Sequence, residues 1–163
     1  MIAAGLTGVY AETIPNFEVL TLVVFASGVL LGARDGALVG TVTMLLYSLL
    51  NPYGLAHPLV TAAQVAGEAV AGLTGGLAAG LASQPPVVRG AALAGVGVML
   101  TAFYDFLTNL ASGVVYGQLR VVLLAGLPFA LWHIGTNAAL FAIVGTPLAA
   151  VCARYRSRLS PAH

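Results

Sequence analysis

Residues 121–153 carry no charged side chain, and neither do residues 36–67. Runs of that length do not suit the surface of a water-soluble domain, where roughly a quarter of residues are charged. The rest of the chain repeats the pattern. Its 163 residues hold six arginines, five carboxylates and no lysine, with 60% hydrophobic residues and a mean hydropathy of +0.99. Such a chain cannot cover itself with a water-facing surface, and the bilayer becomes the expected solvent. A soluble enzyme domain, nucleic-acid binding and a large extramembrane head are excluded on that ground. The net charge of +1 points to no acidic partner. A single cysteine, Cys152, rules out an internal disulfide and a cysteine-rich metal site. The apolar runs are unbroken rather than alternating, which argues against a β-barrel.

Polar and turn-forming clusters divide the chain. They are Ile14-Pro15-Asn16-Phe17, Arg34-Asp35-Gly36, Asn51-Pro52-Tyr53-Gly54 running on to His57-Pro58, Ser83-Gln84-Pro85-Pro86 with Arg89-Gly90, and Gly117-Gln118 with Arg120. Six apolar stretches lie between them, at about 1–13, 18–33, 36–50, 59–82, 90–116 and 121–155. The expected fold is all-α and integral to the membrane, with six transmembrane helices in one domain. The second and third stretches form a tight hairpin in this reading. The first has no cationic leader and is not read as a cleaved signal peptide. As one helix the last stretch would reach about 52 Å, well beyond a hydrocarbon core of about 30 Å. A break is therefore expected at Gly126-Leu127-Pro128, because proline removes a backbone donor and clashes with the preceding turn. Residues 121–127 then become a short outer segment, and the sixth crossing runs over 128–151.

The arginines set the orientation. Arg34, Arg89, Arg154, Arg156 and Arg158 fall on one side of a six-crossing chain, and Arg120 alone on the other. That bias makes the first side cytoplasmic, so both termini are inside. Small residues support close packing in lipid, most clearly Gly67-x-x-x-Ala71-Gly72-x-x-Gly75-Gly76-x-x-x-Gly80 on the fourth helix.

Three helices carry polar residues in i, i+4 pairs, each pair on one helix face: Gln64 with Glu68, Asp105 with Asn109, and His133 with Asn137. Counted from the outer helix ends at about 1.5 Å per residue, all six lie about 6–14 Å deep. Polar groups at such depths are costly and normally turn inward. A lone pair of this kind often serves only to bond helices together. Matching depths on three helices point instead to a solute cavity open to the outside, with Tyr53, Tyr104 and Trp132 as candidate aromatic walls. No metalloprotease HExxH, serine elbow or phosphate loop occurs, so neither an enzyme nor ATP use by the chain itself is expected. A metal set of His133, Asp105 and Glu68 is the weaker reading, since the amides beside them suit an organic solute.

The whole chain resembles the substrate-binding (S) component of energy-coupling-factor vitamin transporters. The stretches that carry the resemblance are Pro15-Asn16-Phe17-Glu18-Val19-Leu20, Gly28-x-x-x-Gly32, Tyr47-Ser48-x-x-Asn51-Pro52-x-Gly54, Thr101-x-x-Tyr104-Asp105-x-x-Thr108-Asn109 and Pro128-Phe129-x-x-x-His133-x-x-x-Asn137. The resemblance implies capture of a vitamin or similar small polar solute from outside. Uptake would be driven by a transmembrane coupling (T) subunit and two ATPase subunits. Asn51, in the third of these stretches, joins the candidate binding residues. In that family a small-residue face on the first helix meets the coupling subunit, and the nearest match here is Ala4-x-x-x-Gly8. No cofactor is implied. Two other classes remain open: a structural or assembly membrane protein whose polar pairs only lock helices, and an intramembrane acid–base enzyme using Glu68 or Asp105 with His133.

Overall fold

The computed structural model describes residues 1–10, 19–51 and 54–159. Among them every regular element is helical: α1 (Ile2–Tyr10), α2 (Leu20–Leu31), α3 (Ala33–Leu49), α4 (Pro58–Leu77), a 3₁₀ turn (Ala79–Ser83), α5 (Pro86–Val115), α6 (Leu119–Leu140), a π-helical turn (Phe141–Gly145) and α7 (Thr146–Leu159).

The helix starts and corners follow local chemistry. α4 begins with Pro58 in its first turn, where the missing N–H costs nothing, and the His57 ring Nδ1 accepts the Leu59 N–H at 3.2 Å. α5 likewise begins on a proline, Pro86. The corner between α2 and α3 is Gly32, at φ +101°, a conformation that side chains rarely adopt. This moves the expected turn. Arg34-Asp35-Gly36 lies in the first turn of α3, and Gly36 is buried against α2 and α4 rather than forming a bend. The chain can turn earlier because Gly32 tolerates the left-handed backbone that Arg34 and Asp35 would resist.

α2, α3 and α4 close backbone to backbone. A Cβ on Gly28 would overlap the Gly72 carbonyl oxygen, one on Gly40 the Glu68 carbonyl oxygen, one on Gly75 the Phe25 carbonyl oxygen and one on Gly76 the Ala33 nitrogen. Close approach of this kind maximises dispersion between the three helices. α4 stops at Leu77, short of the expected 82, and Gly80 belongs to the following 3₁₀ turn with open space around it. Leu22, Val24, Phe25, Val29, Leu93 and Phe141 fill the core, with Phe25 and Phe141 edge to face at 5.3 Å.

α5 and α6 pack antiparallel along their length after a turn at Gly117, φ +66°. Gly97 meets the Asn137 carbonyl and the Phe141 ring, and Gly145 meets Leu93. The expected break at Gly126-Leu127-Pro128 does not occur. Pro128 sits inside α6, and one continuous helical run extends over Leu119–Arg156. The missing proline N–H forfeits one bond to the Leu124 carbonyl. Packing on α5 over many turns outweighs that loss, as it does where neighbouring helices hold a proline helix in place. The irregularity appears further along, as the π turn at Phe141–Gly145. The separate short outer segment at 121–127 is thereby overturned.

Among the described residues two helical runs are long and apolar enough to cross a bilayer, Pro86–Val115 with 30 residues and Leu119–Arg156 with 38. α2 is apolar but shorter, at 12 residues. The chain is all-α, with these two long apolar runs as its coarse signature.

Candidate functional site

The hairpin of α5 and α6 positions the chemistry. Asp105 and Asn109 share a face of α5, and His133 comes across from α6. His133 Nδ1 and Asp105 Oδ1 are 2.9 Å apart, with side chains only 9% and 14% exposed. The neutral imidazole that suits this contact carries its proton on Nδ1 and donates it to the carboxylate; the imidazolium donates in the same way. Tyr104 holds the imidazole from the next position on α5. Its ring stands edge to face with His133 at 6.4 Å between centroids and 88° between planes. The same ring presses on α4 at Gly67, where a Cβ would come within 2.6 Å of it. A glycine on α4 thus makes room for a tyrosine that steers a histidine on α6.

One helical turn along, the Asn109 amide lies against α6 at Gly126, about where a Cβ would bring it to 3.0 Å. Asp105, Thr108 and Asn109 from α5 and Gly126, Phe129 and Ala130 from α6 line a cavity of about 300 Å³. That is the lower end of the range for small-molecule sites. Three of the six expected residues therefore come together here: Asp105 and Asn109 on the wall, and His133 bonded to Asp105.

The other three stand elsewhere. Glu68 is 1% exposed and turned toward α2, where its Oε1 accepts the Thr21 hydroxyl at 2.9 Å. Asn137 is fully buried, its amide nitrogen and oxygen without hydrogen-bond partners among the described residues. The α5–α6 register sets it level with Thr101, whose hydroxyl is also buried and unpartnered. Gln64 is half-buried on α4 and does not line this cavity. Asn51 is half-buried at the end of the α3 segment. Trp132 is 56% exposed and belongs to a separate apolar groove on α6, with Leu131, Gly135, Thr136 and Ala139. It makes no wall for the polar cavity, because a residue one position before His133 points about 100° away around the helix. Tyr53 lies outside the described residues, as do Glu12 and the 14–17 segment. Ala4 is exposed on α1, the helix that also carries Gly8. Arg120 is exposed at the start of α6.

Sequence reasoning missed Thr21, Gly126, Phe129 and Ala130. The period of α6 marks all of the last three, since 126, 129, 130 and 133 share one face, but the expected break at Pro128 set Gly126 apart, and Phe129 and Ala130 carry no polar group to draw notice. No comparable signal marked Thr21 as the partner of Glu68. Among the described residues no three His, Cys, Asp or Glu side chains gather into a metal-binding group. Comparison with protein-family models, with curated proteins and with solved structures finds no match in any of the three.

Proposed function

We propose that this chain is the solute-capture subunit of an energy-coupling-factor-type importer. It takes a vitamin or similar small polar solute from outside the cell into the cavity between α5 and α6. The observation that carries the reading is the Asp105–His133 pair at 2.9 Å on the edge of a polar cavity of about 300 Å³. A partly buried carboxylate and amide beside a void discriminate among solutes, because a guest lacking their partners leaves them unsatisfied.

The chain spans the cell membrane six times in this reading, with both termini in the cytoplasm. Support comes from the two long apolar runs, the small-residue packing of α2–α4 and the arginine bias. Its sequence holds no phosphate loop, and in this reading energy comes from a T subunit and two ATPases, which it meets through α1 near Ala4 and Gly8.

Mass spectrometry of solute released from the purified protein tests capture. Asp105→Ala should weaken binding of that solute at least about tenfold, or 1.4 kcal/mol. Wild-type affinity in that variant removes the site. Co-purification with a coupling subunit and ATPases tests the transporter role. A second reading, helix locking, has one observation in its favour: Glu68 is bonded to Thr21 rather than facing the cavity. We assign that role to Glu68 alone.

A further inference from the structure

We infer that the cavity selects a small planar solute presenting adjacent N–H donors, an amidine-type edge, and rejects carboxylates and phosphates. The inference rests on the capture reading and names the chemistry of the solute.

The argument is a count of donors and acceptors on the wall. Asp105 contributes a carboxylate. Its Oδ1 engages His133, while Oδ2 is buried without a hydrogen-bond partner among the described residues. Thr108 contributes lone pairs only, because its hydroxyl proton is committed to the Tyr104 and Asp105 carbonyls at 3.0 and 3.2 Å. Asn109 contributes one acceptor and the one donor group among these side chains. Gly126, Phe129 and Ala130 complete the lining and add no polar side chain, and no lysine or arginine is among the lining residues. Arg120 is six positions before Gly126, about 9 Å along the helix.

Acceptors outnumber donors on this wall. With His133 as the neutral Nδ1–H imidazole behind Asp105, an anionic guest would meet the carboxylate with no lysine or arginine on the lining to offset it, and like charges in a poorly solvated cavity repel strongly. A guest with two neighbouring N–H groups instead satisfies the Asn109 carbonyl and, once a small rotation of the Asp105 side chain turns its buried Oδ2 to the void, the carboxylate one helical turn away. Gly126, which has no side chain, and the small Ala130 leave room for a ring beside Phe129. A volume of about 300 Å³ admits one ring or a fused pair, not an extended molecule.

Benzamidine and benzoate test this directly, being nearly equal in shape and opposite in edge. On the purified full chain, calorimetry should show benzamidine binding at least about tenfold tighter than benzoate. Asp105→Asn should abolish the preference. Asn109→Asp, a change on the open cavity wall, should enlarge it, which guards against a misfolded Asp105 variant. Benzoate binding equally or more tightly, a preference that neither variant moves, or no binding of either fragment at millimolar concentration overturns the donor-edge class. The capture reading is judged separately by the solute extracted from the protein. An extracted carboxylate or phosphate keeps capture and sinks the donor-edge class. No extracted solute and no fragment binding sinks both.

Discussion

The α2–α4 bundle and the α5–α6 hairpin use the same residue types to opposite ends. Each sets glycines opposite a neighbouring helix, and each holds a carboxylate away from water. In the first, neighbouring backbone fills the vacancy at most of the glycines: Gly72 abuts Gly36, Gly75 abuts Phe25, and Glu68 is sealed against Thr21. In the second, Gly126 faces the amide of Asn109, and space remains beside it for a guest. A glycine in a helix face is therefore neither a packing device nor a cavity device by itself. What decides is whether the opposite element brings backbone or a polar side chain to the gap.

Five substitutions break or sharpen that contrast. The largest effect belongs to the closed half. Gly72→Leu drives a side chain into the Gly36 backbone, which cannot yield as a flexible side chain would. Destabilisation should exceed the usual 1–3 kcal/mol of overpacking, read as loss of the monodisperse protein on size exclusion. Gly126→Leu in the open half should leave the fold intact and fill the cavity, read as lost solute binding at an unchanged elution volume. Pro128→Ala should raise stability by up to about 3 kcal/mol, since it restores the bond to the Leu124 carbonyl within a helix already formed. A lowered melting temperature would mean that the proline shapes the cavity wall. Glu68→Ala removes the acceptor of the Thr21 hydroxyl and empties a buried site, and should cost about 1–3 kcal/mol of stability while solute affinity stays unchanged. A comparable loss of affinity would return Glu68 to the binding site. Trp132→Ala, in the separate apolar groove, should change solute affinity least of all.

The i, i+4 spacing of Asp105 with Asn109 and of His133 with Asn137 was enough to place each pair on one helix face. It could not say which faces meet. Antiparallel register then matched Asp105 to His133 and left Asn137 level with Thr101, inside the packing. Depth estimates put Glu68 beside them, but its rotation about the α4 axis turns it to α2. Depth follows from counting residues along an axis, whereas rotation follows from what the helix packs against.

The amino-acid sequence by itself determined that the chain is helical and carries long apolar runs, because charge and periodicity are written residue by residue. It also marked the α4 glycines as a contact face. Only the tertiary structure decided that the α2–α3 corner is Gly32, that Pro128 interrupts nothing, and that the polar residues divide between a lock and a cavity. Each of those outcomes depends on which helix stands opposite, and a local bond or propensity of about 1 kcal/mol is overruled when many packed turns oppose it.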